Sequence, residues 1–292
     1  MNRKKFLSLL AATPIIYGGM KLSQLEKFTA DFSNSDKMPV LFIGHGHPMN
    51  ALLDNDFTQK LTEIGSSIKR PNAIMVVSAH WETRGTFVSV NASPRTIYDF
   101  GRFDDRLFKI KYEPKGHAAL AQEVVSLGQK FHIQTDHQMG LDHGAWTVLK
   151  FLYPKADIPV FQLSIDFTKP PQYHFELAQS LKQLRKKGVL VIGSGNIVHN
   201  LRRLDWHNIA AQPFDWAVEF DEKVKAHLLN NNTAPLVNYS QMGILAKMAI
   251  PSNDHYLPMI YSLGLAENGE RIEQLYEGIQ YGSISMRSFK IS

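Results

Sequence analysis

MPVLFIGH, residues 38–45, runs from Met38 to Gly44 without a charge and stops at a histidine. An apolar run this short, followed by a glycine turn, reads as a strand buried on both faces, the kind a parallel sheet covered by helices requires. The arrangement recurs in AIMVVSAH, residues 73–80, and in VLVIGSGNIVH, residues 189–199. In open α/β sheets the carboxyl ends of the strands border the crevice where ligands bind. Three such strands therefore predict a site to which His45, His80 and His199 are delivered together. Histidine is the commonest metal ligand and the usual proton shuttle near neutral pH, so the pattern points to a metal-dependent enzyme.

Outward from these runs, strands and helices alternate. Strands are predicted over 39–43, 73–78, 86–91, 158–165 and 189–192, and helices over 57–68, 117–131, 144–152, 173–186 and 214–229. This alternation argues for one α/β domain with a central, mostly parallel sheet flanked by helices. After Leu263 the period changes to two around a glycine turn, and residues 271–291 read as a closing β-hairpin. With 292 residues and 44% hydrophobic content, the chain can bury a full core. Its net charge of +5 is dispersed apart from Arg3, Lys4 and Lys5, and no basic stripe is interleaved with aromatics, which argues against a nucleic-acid partner. The absence of cysteine removes thiolate ligands, so any metal is held by nitrogen and oxygen donors.

Residues 1–37 differ from the rest. A basic start precedes an apolar stretch interrupted by Pro14, too short to span a membrane and similar to an export signal with Lys4 where a second arginine would stand. Periplasmic export and a cytoplasmic helix packed on the domain both remain open. A polar linker follows, and the folded domain is expected over 38–292.

Each histidine also has a bland reading. His45 lies between Gly44 and Gly46, where it need only cap a turn, and a lone strand-end histidine such as His80 is commonly structural. His143 heads a helix with Asp142 as natural N-cap and can simply pack on Trp146. His255 follows Asp254 between a turn and an apolar helix, and either side chain can reach an ion. His47 is open to a supporting role two residues from His45, whereas His117, His132, His137, His174, His207 and His227 read as solvated surface.

Spacing alone stops at a histidine-rich α/β site. The ordered motifs GHGHPMNAL (44–52), VVSAHWET (76–83), YDFGRF (98–103), LDHGAWTVL (141–149), GSGNIVHNL (193–201) and NDHYLP (253–258) go further. They resemble the class III extradiol dioxygenases of the LigB type, in particular the 4,5-DOPA dioxygenase branch, over residues 38–291. The resemblance implies His45, His80 and His255 as metal ligands, His199 as acid/base, and His143 as a second active-site histidine facing substrate or oxygen. It implies Fe(II), with Zn(II) a competitor for the same site, and a catechol and O2 as reactants. One departure stands out: His47 occupies a place where relatives carry a small residue such as serine. Two other readings remain at this stage. One is a zinc hydrolase on the same scaffold with Glu82 as its base, and the other is a non-catalytic binding protein.

Overall fold

The computed structural model describes residues 37–292, so the reading of residues 1–36 as an export-like segment lies outside the described residues. The chain runs β1 (Val40–Gly44), α1 (Asp56–Ser67), β2 (Ala73–Ser78), β3 (Glu82–Thr83), β4 (Phe87–Ser89), α2 (Ala118–Leu127), β5 (Gln134–Asp136), α3 (His143–Leu152), β6 (Val160–Gln162) and β7 (Ile165–Asp166). It continues through α4 (Pro171–Ser180), α5 (Gln183–Lys186), β8 (Val189–Gly195), α6 (Asp215–Leu229), α7 (Thr233–Val237), α8 (Ile244–Ala249) and α9 (Leu257–Gly264). The last elements are β9 (Ile272–Tyr276), β10 (Ile279–Gln280), β11 (Ile284–Ser285) and β12 (Ser288–Ile291).

The main sheet has the order β6-β2-β8-β1-β12-β9. Its first four strands are parallel, and β12 and β9 add an antiparallel edge. Strand alternation splits the apolar runs between two cores. Val40, Phe42, Met75, Val77, Val189 and Val191 face one core, shared with Leu177 of α4, Val224 of α6 and Leu257 of α9. Leu41, Ile43, Ile74, Val76, Leu190 and Ile192 face the other, shared with Leu61 of α1 and Trp146 and Leu149 of α3. This two-sided burial is why β1, β2 and β8 read as unbroken apolar runs. Among the described residues no helix is long and apolar enough to cross a membrane.

The closing hairpin forms as an antiparallel β10–β11 pair. Three expectations need correction in detail. The run 158–165 is two strands, because after β6 the chain leaves the main sheet and β7 pairs with β3. The strand expected over 86–91 is β4, which pairs with β5 outside the main sheet. The helix expected over 173–186 starts at Pro171, whose fixed φ suits a first helical turn, and is interrupted at Leu181 before α5. His174 is also not solvated surface. It is fully buried on α4, with Nδ1 3.0 Å from the Tyr261 hydroxyl on α9.

Candidate functional site

The register of the central strands aligns their carboxyl ends. Gly44 of β1 is opposite Gly195 of β8, and Ser78 of β2 is opposite Ser194. His45 thus leaves the sheet directly after β1 and His80 two residues after β2, at one level of the edge. Gly46 then turns the chain at φ +67, a left-handed conformation that glycine adopts without strain. His255 arrives from the loop before α9. Its carbonyl accepts from Asn196 N at 2.8 Å and lies so close to β8 that a Cβ on Gly195 would stand 2.1 Å from it. His143 opens α3, where the Asp142 carboxylate accepts from Ala145 N at 3.1 Å. His199 follows β8, fixed by a 2.9 Å hydrogen bond from its backbone N–H to Ala249 O.

All five histidines singled out from sequence line one cavity of about 430 Å³. Ring centroids lie 5.0 Å apart for His45–His80, 5.3 Å for His45–His255 and 4.8 Å for His80–His255. His143 packs more tightly on His80, at 3.8 Å, and His199 stacks on His255 at 3.4 Å with planes 9° apart. Ligand atoms gather in two sets, His45, His80 and His143 in one and His199, Asp254 and His255 in the other, each within 4.8 Å.

Hydrogen bonds fix which nitrogens are free. Ser194 Oγ donates to Gly144 O at 2.6 Å, so its contact with His45 Nδ1 at 3.1 Å must be a bond that His45 donates. His45 Nε2 is then unprotonated, and it lies 3.1 Å from His80 Nε2. Two ring nitrogens this close repel unless a proton or a cation lies between them. His255 Nδ1 donates to Asp254 Oδ2, leaving its Nε2 buried with no hydrogen-bond partner. Burial opposes ionisation of Asp254, yet the hydrogen bond from His255 holds its carboxyl well below the usual carboxylate range. Burial, then the charges of His255 and His143, push His45 well below the ordinary histidine value, and burial followed by the same two neighbours does so for His80. Both are therefore neutral near pH 7, the form that binds metal. An orphaned Nε2, a crowded Nε2 pair and neutral rings fit a divalent cation held by imidazoles.

Sequence reasoning quoted YDFGRF as a motif but assigned no role to Asp99, which the structure places in the cavity wall. Its Oδ1 accepts from the backbone N–H of His143 at 2.8 Å, its Oδ2 from His143 Nδ1 at 2.9 Å, and Oδ2 lies 3.6 Å from His80 Nδ1. An acidic residue between two aromatics was the available signal. Ser194 was missed as well, because its role comes from strand register. His47 lines the cavity, but Glu82 is exposed and is not part of the cavity lining.

A parallel sheet that gathers five imidazoles over the ends of its strands, with ring nitrogens left free for a cation, defines a metal-dependent α/β enzyme. The chain belongs to the LigB family of class III extradiol dioxygenases, its residues 39–287 matching the catalytic LigB subunit of aromatic ring-opening dioxygenase. It is 46% identical to the 4,5-DOPA dioxygenase extradiol of Escherichia coli K12 over 264 residues, 88% of this chain and 96% of that protein. The protein of the same name from Beta vulgaris is 36% identical over 257 residues, 86% of this chain and 95% of the relative. The crystal structure of an uncharacterized protein from Escherichia coli K12 superposes with a TM-score of 0.77 at 43% identity, covering 87% of this chain and all of that one. The chain is accordingly an extradiol ring-opening dioxygenase with a metal-binding histidine site.

Proposed function

We propose that this enzyme opens the ring of a catechol with a DOPA-like side chain, using O2 and Fe(II) held by His45, His80 and His255. The observation that carries the ligand assignment is the set of ring separations. An ion about 2.1 Å from each nitrogen stands about 3.2 Å from each ring centre, so ligands about 90–110° apart have centroids about 4.5–5.3 Å apart. The His45–His80, His45–His255 and His80–His255 pairs fall in that range. At 3.8 and 3.4 Å, the His80–His143 and His199–His255 pairs are too close. Each of these pairs can supply one ligand at most, and His143 also stands 5.7 Å from His45, outside the range, so the proposal gives His143 and His199 other work.

Fe(II), when bound, supplies Lewis acidity to the two catechol oxygens and an open position for O2. The remaining steps belong to the protein. His199 is pushed below the ordinary histidine value by burial and then by the charge of His255, so it is an unprotonated base at neutral pH. Placed on the His255 ring, it takes a proton from the catechol hydroxyl and returns one as the ring opens. His143 donates Nδ1–H to Asp99, which fixes its tautomer and leaves Nε2 to face substrate or oxygen. Phe100 and Phe103 form an apolar wall that keeps water from the reacting ring. The DOPA-like side chain is supported by the names of the relatives. The hydrolytic alternative loses the carboxylate base assigned to it, since Glu82 lies outside the cavity lining and Asp99 and Asp254 are tied to imidazoles.

The direct test is oxygen uptake by protein reconstituted anaerobically with Fe(II) and given L-DOPA or other catechols. Stoichiometric uptake with a yellow semialdehyde chromophore is expected. No uptake from protein shown to hold iron would overturn the proposal.

A further inference from the structure

One histidine of the cavity, His47, has no part in the chemistry proposed above. His47 is 7% exposed, and its Nδ1 accepts the Met49 backbone N–H at 3.2 Å, capping a short 3-10 turn. That bond makes Nδ1 the unprotonated nitrogen and leaves Nε2–H as a donor. Among the described residues the side chain makes no other hydrogen bond. Its ring is held among Phe103, Tyr281 and Trp206, at centroid distances of 4.3, 5.3 and 6.2 Å. Phe103 and Trp206 line the same cavity.

Arg202 is the one Lys or Arg side chain in that lining. Its backbone N–H is bound by Asn200 Oδ1 at 3.1 Å, but its guanidinium has no ion pair or hydrogen bond among the described residues. The two carboxylates of the lining do not answer it. Asp99 accepts from the backbone and ring of His143, and Asp254 accepts from His255. Besides a cluster suited to catechol oxygens, the cavity lining therefore includes a neutral N–H donor packed among aromatic rings and an exposed cation with no partner among the described residues. Guanidinium and N–H donors together recognise a carboxylate.

We propose that His47 and Arg202 form a subsite for the carboxylate that ends the side chain of a catechol substrate. The assignment rests on the catechol reading of the neighbouring histidines. It makes the enzyme selective for side-chain acids over apolar catechols of equal size.

The test compares dihydroxyphenylpropanoate with ethylcatechol, which differ by the carboxylate, in wild type, His47→Ser and Arg202→Gln. Serine keeps an N-cap acceptor for the turn but does not reach into the cavity. Two readouts are taken: kcat/KM by oxygen uptake with Fe(II), and anaerobic calorimetric affinity for each ligand. Wild type is expected to favour the acid, and each substitution to reduce that preference by about tenfold or more, as loss of a hydrogen bond to a charged group does. A wild type without preference, or a preference that survives either substitution, overturns the subsite. If no catechol is cleaved, the dioxygenase reading fails by itself. The subsite is then decided by calorimetry, where an acid preference lost in both variants upholds it and any other result overturns it.

Discussion

The two ends of β1 handle buried polar groups in opposite ways. At the amino end, Arg185 is fully buried and each of its side-chain nitrogens has a partner. Nε donates to Met38 O at 2.8 Å, Nη1 to Leu265 O at 2.9 Å and Glu270 Oε2 at 2.7 Å, and Nη2 to Glu270 Oε1 at 2.5 Å. At the carboxyl end, six imidazoles crowd one cavity with His255 Nε2 unpartnered and two Nε2 atoms 3.1 Å apart. A folded chain keeps few buried polar atoms unsatisfied, and those it keeps mark places where something else binds. One end of the strand holds the fold together, and the other holds donors in reserve for a metal.

The sharpest break in this comparison is removal of a proposed ligand. His45→Ala, His80→Ala and His255→Ala should each lose bound metal and all ring cleavage, read by metal analysis and oxygen uptake, while thermal unfolding of the apo-protein changes little. His199→Ala should keep metal stoichiometry and lose turnover by about 10²–10⁴-fold, the usual worth of a positioned proton-transfer group. If it lost the metal instead, the roles of His199 and His255 would have to be exchanged. At the other end of β1 the effects should invert. Arg185→Met should cost about 3 kcal/mol of stability in urea unfolding, near the low end for breaking a buried pair because Lys37 still reaches Glu270 at 2.7 Å. The Fe(II) affinity of the folded protein should not change. Smaller again, Asp99→Asn should lower activity by about 10–100-fold, since it weakens the hold on the His143 ring while removing no proposed ligand.

How much of this was legible in sequence also differs between the ends. The apolar runs of β1, β2 and β8 and the histidines that follow them were plain, because burial on both faces leaves no polar alternation and the loops leaving the carboxyl ends of the strands border the crevice. His255 needed the resemblance, for nothing in its spacing shows that α9 seats it against Gly195. Asp99 and Ser194 act through contacts with residues 44 and 50 positions further along and back respectively, which periodicity does not encode. The Arg185–Glu270 pair spans 85 residues and carried no sequence signal. His174 was misread because a histidine within an amphipathic helix looks the same whether its partner is water or the Tyr261 hydroxyl. The break of the 158–165 run reflects β7 pairing with β3, a local preference overridden by tertiary contacts.

Acid offers the gentlest way to separate the two ends. Burial alone would raise the Glu270 carboxyl, but hydrogen bonds from Arg185 and Lys37 outweigh it and hold its pKa at about 2 against an ordinary 4.5. A carboxyl whose folded pKa is depressed adds stability above its unfolded value, and that stability is lost as pH falls toward the folded one. The contribution of Glu270 should thus be complete above about pH 5 and drain away between there and pH 2. Urea midpoints of wild type and Glu270→Gln should differ most near neutrality and converge as pH drops through this window. A gap that stayed constant to pH 3 would mean that glutamine disturbs packing rather than charge, and the amino end of β1 would then owe its order to shape instead of to the pair.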